Sequence, residues 1–217
     1  MSKSNYLKDP ENLEVTRVRL ENAEQQPTIS KLLAEYGYGA KKIAEGAAIR
    51  AKAEEAYNFK KIEDLESSEA HNKFKALQKK IDEIYSIDRK KGKTVFAKNK
   101  DILKRLGVNG SVPESYVKWY ETVETYYRAC LNDEAILQPQ EILKVTSEHC
   151  TVVLNMIAEM KLLRTEYLRE KGESQEATSI KDNAFSALDD WMREFKSVAK
   201  IALIDHPQLL EALKIKP

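Results

Sequence analysis

Only two cysteines, Cys130 and Cys150, occur among 217 residues. Two are too few for a disulfide framework, and both fall at apolar positions of helical patterns, so buried free thiols are expected. Proline is equally sparse, with none between Pro27 and Pro113 or between Pro139 and Pro207, and glycine occurs seven times. Gaps of that length exclude the frequent turns of a sheet protein and suit long helices. No stretch approaches the ~18 apolar residues of a membrane span. The start, Met1-Ser2-Lys3-Ser4-Asn5-Tyr6, lacks the basic-then-apolar pattern of a signal peptide, so a cytoplasmic location is expected.

The usual chemical signatures are missing too. There is no Gly-x-Ser-x-Gly, phosphate loop or dinucleotide fingerprint, and Gly37-x-Gly39 reads as a helix stop. A di-metal bundle site needs Glu-x-x-His pairs, yet Ser68, Thr146 and Leu203 stand three residues before His71, His149 and His206. A haem held by His149 with Met156 or Met160 competes with the simpler reading of an apolar helix face. Cys150 follows His149 directly, and neighbours at i, i+1 on a helix do not meet. No catalytic residue, cofactor or metal ligand is therefore expected.

What is present is an internal repeat offset by 107 residues. Glu66-Ser67-Ser68-Glu69-Ala70 matches Glu173-Ser174-Gln175-Glu176-Ala177, and the same offset lays residues 101–108 on residues 208–215 without a gap. The copies span about 9–108 and 116–215. With 42% apolar and 33% charged side chains the chain can bury a sizeable core. The net charge of +1 hides an asymmetry: residues 1–108 carry 23 Lys+Arg against 17 Asp+Glu, and residues 109–217 carry 13 against 18. Oppositely charged copies would favour self-association or association with a protein partner.

Each copy reads as a medium helix, a short helix, two long helices and a short closing helix. The first copy gives helices near 11–24, 29–36 and 40–62, then a turn near 64–68 and a fourth helix carrying Phe74, Leu77, Ile81, Ile84 and Tyr85. The second copy opens at Pro113, turns at Gly172, and carries an apolar stripe of Leu188, Trp191, Met192, Phe195, Val198, Ala199 and Ala202. Ile43, Gly46, Ala47 and Ala51 correspond to Cys150, Val153, Leu154 and Ala158, so small side chains in one copy stand where large ones stand in the other. The expected fold is all-α: an up-and-down four-helix bundle of two tandem helical hairpins, forming one domain over residues 1–217.

The duplicated plan, the Tyr36-Gly37-Tyr38-Gly39 step, the Glu-Ser-x-Glu-Ala segments and the ending Leu188-Asp189-Asp190-Trp191-Met192-Arg193-Glu194-Phe195 to Leu213 resemble a family of uncharacterised bacterial all-helical proteins of about this size. The resemblance implies the fold and the duplication, and no activity. Pro139 departs from the pattern and is expected to break the second short helix.

Two segments stand out as candidate contact sites. Tyr116, Trp119, Tyr120, Tyr126 and Tyr127 crowd one helix, which either laps the bundle or offers an aromatic face to a partner. Arg89, Lys90, Lys91 and Lys93, followed by Lys98, Lys100, Lys104 and Arg105, form a basic run where the second copy keeps Phe195, Val198 and Ala199. Asp88, Lys91 and Gly92 are expected to interrupt the seam and expose the turn 88–93. The leading expectation is a non-catalytic interaction or scaffold protein. The alternative is an anion or nucleic-acid binder through 89–105, although a near-zero net charge makes nucleic acid the less expected partner. A third is an enzyme with a site between the repeats.

Overall fold

In the computed structural model residues 8–216 are described. The segment 1–7, on which the signal-peptide reading rests, lies outside them. The described residues form eight helices and no strand: α1 Asp9–Gln25, α2 Pro27–Glu35, α3 Ala40–Val95, α4 Lys100–Arg105, α5 Tyr116–Asn132, α6 Glu134–Glu141, α7 Ser147–Ala202 and α8 Gln208–Ala212. No helix among them is long and apolar enough to cross a membrane.

The hairpin turns expected at 64–68 and at Gly172 are absent, because α3 and α7 each run unbroken for 56 residues. A helix end leaves four N–H or four C=O groups without partners, whereas a glycine inside a helix costs only about 1 kcal/mol. Ser67, Ser68 and Gly172 therefore stay helical. Pro139 likewise sits inside α6 without breaking it, and α5 starts at Tyr116 rather than Pro113.

The chain forms two compact units, neither of which is one sequence copy. Unit 1 comprises Met1–Leu65 and Lys171–Pro217; unit 2 comprises Glu66–Glu170. Each therefore takes part of α3 and part of α7. The charge asymmetry of the sequence halves is redistributed with them: unit 2 has 18 Lys+Arg against 16 Asp+Glu, and unit 1 has 18 against 19. The strong charge contrast between the sequence halves is thus not carried over to the two units.

Local structure recurs at the 107-residue offset. The first residues of α1 and α5, and of α3 and α7, differ by that number. Positive φ occurs at Gly37 and Lys144 and at Gly107 and Lys214, again 107 apart. All four follow a helix, and in each case the next residue's N–H reaches back five positions: Tyr38 to Leu33, Val145 to Gln140, Val108 to Leu103 and Ile215 to Leu210. This is a left-handed helix stop, easy for glycine and strained for lysine. Side chains repeat as well, since Asn12 Nδ2 donates to Asp189 Oδ1 at 2.9 Å and Trp119 Nε1 donates to Asp82 Oδ1 at 2.8 Å.

In unit 1 the core gathers Leu13, Leu20, Ile29, Leu33, Ile43, Leu188, Trp191 and Phe195. Gly46 of α3 lets Trp191 of α7 approach, since a Cβ there would lie 2.4 Å from the indole. In unit 2 the core gathers Phe74, Ile81, Tyr85, Trp119, Val123, Tyr126, Tyr127, Cys150, Ile157 and Met160.

Candidate functional site

The inward stripe of α3 in unit 2 runs Ile81, Tyr85, Asp88, Gly92 at spacings of four, three and four. Contrary to the expected exposure of 88–93, the stripe continues through Asp88, which is only 1% exposed. A buried carboxylate costs several kcal/mol unless paired, and three elements supply partners. Tyr127 of α5 donates its hydroxyl to Asp88 Oδ2 at 2.8 Å, His149 of α7 places Nε2 at 2.5 Å from the same oxygen, and Lys91 reaches Oδ1 at 2.8 Å. Against an ionised Asp88, which only accepts, His149 Nε2 is the donor.

A second layer lies behind the carboxylate. The Tyr126 hydroxyl stands 2.7 Å from the Asp88 carbonyl oxygen and 2.5 Å from Gln140 Oε1. Gln140 Nε2 donates to the Ile136 carbonyl at 3.0 Å and to Cys130 Sγ at 3.3 Å. Gly92 makes this layer fit, because a Cβ there would meet the Tyr126 oxygen at 2.9 Å. Cys130 and Cys150 are free and buried, and they share a hydrogen bond that pushes the Cys150 thiol up, with burial acting in the same direction.

Unit 1 has nothing comparable at the equivalent positions. There Asp88, Tyr127, Cys130, Gln140 and Cys150 are replaced by Phe195, Leu20, Ala23, Leu33 and Ile43, all within its apolar core. The same helical plan thus closes without the polar network, and the fold does not require it. Chemically the network is a carboxylate–imidazole pair held at one edge of the unit, with the His149 side chain 31% exposed. His149 Nε2, the atom a haem iron would take, lies 2.5 Å from Asp88 Oδ2. Met160, on the same helix, is buried in the core.

Burial raises the Tyr126 and Tyr127 hydroxyls far above the ordinary tyrosine range, and the Asp88 charge adds to the effect. Burial also raises Tyr85. A raised tyrosine pKa favours the neutral form in the folded state. Its stabilisation is thus complete below the unfolded value of about 10 and is lost as pH rises beyond it. In an alkaline titration followed by phenolate absorbance, Tyr126 and Tyr127 are expected to ionise only together with loss of helical circular dichroism. One smooth titration of all the tyrosines, with the helix signal intact, would contradict the network's burial.

The aromatic segment is largely packed within unit 2. Trp119, Tyr126 and Tyr127 are buried, and Tyr116 and Tyr120 are half-buried. Arg164 stacks on Tyr116 at 3.9 Å from the ring centre, and Lys161 on Tyr120 at 4.3 Å. The basic run is divided. Arg89 turns inward and donates to the carbonyl oxygens of Val108 and Gly110, and Lys91 is spent on Asp88. Lys90, Lys98, Lys100 and Lys104 are exposed and Lys93 is half-buried, and none of these five forms an ion pair among the described residues.

No family model matches the chain, and no curated protein or solved structure is similar to it.

In unit 1 an open groove of about 650 Å³ is lined by Lys42, Glu45, Asp190, Trp191, Arg193 and Glu194, among others. Its charges largely pair off, Lys42 with Glu45 at 2.9 Å and Arg193 with Asp190 at 2.8 Å.

The Asp88–His149 pair went unseen in the sequence because the two residues are 61 positions apart and on different helices. One signal was available: at the 107-residue offset Asp88 falls on Phe195, a polar residue at a core position.

Proposed function

We propose that the protein is a non-catalytic helical interaction protein, built from two copies of one unit, that meets an acidic partner through the basic end of unit 2. The observation that carries this is a contrast between equivalent segments. Residues 89–105 hold eight Lys+Arg and one acidic residue, Asp101, whereas residues 196–212 hold two of each. Concentrating like charges in one segment costs repulsion that unit 1 avoids at the equivalent positions. The polar network supports the same reading from the other side. Asp88, His149, Tyr127 and Gln140 hold α3, α5, α6 and α7 together in unit 2, as a satisfied buried network does, and make a rigid base for the lysines above it.

Heparin chromatography in a salt gradient tests the proposal. The wild-type protein is expected to be retained and to elute with salt. The variant Lys98→Gln/Lys100→Gln/Lys104→Gln should elute earlier, and His149→Gln, which alters the network alone, at the wild-type position. Absence of retention, or a loss confined to the network variant, would remove the basic end as the contact.

A further inference from the structure

We infer that the acidic partner of the basic end is double-stranded nucleic acid, held through its phosphates without reading sequence. The inference rests on the interaction reading above and adds the chemistry of the partner. Five lysines face solvent or its edge within 15 residues, Lys90, Lys93, Lys98, Lys100 and Lys104, and their positions in unit 1 are held by Ser197, Lys200, Asp205, Pro207 and Glu211. The near-zero charge of the whole chain argued against a polyanion only while the charges were averaged. The segment itself is strongly positive and is held in place from below. Phe96 and Leu106 are buried, Asn99 caps α4 by accepting from the Ile102 N–H at 3.1 Å, and Arg89 ties down the carbonyls of Val108 and Gly110.

The same side chains select among polyanions. Binding of single strands without sequence preference relies on exposed aromatic rings for stacking, and the one aromatic residue of 89–105, Phe96, is 7% exposed. A bilayer surface is held best when basic residues flank an apolar side chain that inserts. Here Ile102 and Leu103 are half-buried against the core and Leu106 is fully buried, so no large apolar side chain of the segment is free to insert. What remains is a cluster of point charges along one short segment, which suits the dense phosphates of a duplex. Lysine ammonium groups on flexible stems bind phosphate as point charges and carry no base-reading geometry of their own.

The test is fluorescence anisotropy with a labelled duplex of about 20 base pairs and mixed sequence, between 50 and 200 mM salt. Each neutralised phosphate contributes about −0.9 to the slope of log affinity against log salt. Five contacts predict a slope of about −4.5, a roughly 500-fold weakening over that range. The variant Lys98→Gln/Lys100→Gln/Lys104→Gln should keep its melting temperature and show a slope of about −1.8. A change of duplex sequence should leave the affinity unchanged. The inference is overturned by no duplex binding at 50 mM salt, by an unchanged slope in the triple variant, or by vesicles rich in phosphatidylserine or a single strand of equal length binding more tightly than the duplex. Retention on heparin combined with any of these would leave the interaction proposal standing and remove only the duplex.

Discussion

Replacing Asp88 with alanine is expected to destabilise the protein by about 3–5 kcal/mol, the usual cost of breaking a buried charged pair from one side. The loss has several parts. Tyr127, fully buried, would keep a hydroxyl with no acceptor, a cost of about 1–3 kcal/mol. Lys91 and His149, whose side chains are 26% and 31% exposed, could turn to water and would contribute less. Urea denaturation at neutral pH is the measurement, with the midpoint lowered and the slope little changed. A loss below about 1 kcal/mol, typical of surface positions, would mean that Asp88 is not sealed in the core.

The complementary variant separates stability from necessity. Asp88→Phe combined with Tyr127→Leu and Gln140→Leu places in unit 2 the residues that unit 1 carries at 195, 20 and 33. Replacing a buried ionic network with well-packed apolar side chains is often neutral or stabilising, so this triple variant is expected to recover most of what Asp88→Ala loses. Heparin retention should persist in it, because the exposed lysines are untouched.

Trp191→Ala is expected to cost about 3–5 kcal/mol, as for a large buried aromatic side chain. The indole is 6% exposed, stacks on Phe195 with ring centres 5.5 Å apart and meets Tyr38 edge-on at 5.8 Å. Its Nε1 has no hydrogen-bond partner among the described residues, so truncation orphans none of their polar groups and the loss is one of packing. Gly46 supplies the internal check. Gly46→Ala would drive a methyl group into the ring, at a cost of about 1–3 kcal/mol, partly offset by about 1 kcal/mol of helix propensity. In the Trp191→Ala background that penalty should disappear and the substitution should become stabilising, a coupling of the size seen between contacting residues. Thermal melts of the wild type, the two single variants and the double variant measure it. Additive effects would show that Gly46 and Trp191 do not touch.

Helical content, the stripes of α3 and α7 and the closing helices were all legible in the sequence, because apolar spacing and sparse proline are local properties. The glycine stop at Gly37 was legible for the same reason. Its counterpart at Lys144 was not, since lysine carries no signal for positive φ. Residues 64–68 and Gly172 tolerate a turn without requiring one. Whether the helix continues there depends on what its backbone and side chains meet, and in unit 1 Ser174 of α7 hydrogen-bonds Asp64 of α3 at 2.8 Å. The same holds for side chains with two natural environments. Tyr126, Tyr127 and Asp88 can lie outward or inward at equal helical spacing, and only the arrival of α5, α6 and α7 around the end of α3 decides that they are buried and bonded to one another. The sequence by itself therefore determined the helices and their recurrence, which depend on neighbours along the chain. Which halves of the long helices share a core, and which polar groups are sealed inside it, was decided by tertiary structure, because those outcomes depend on neighbours in space.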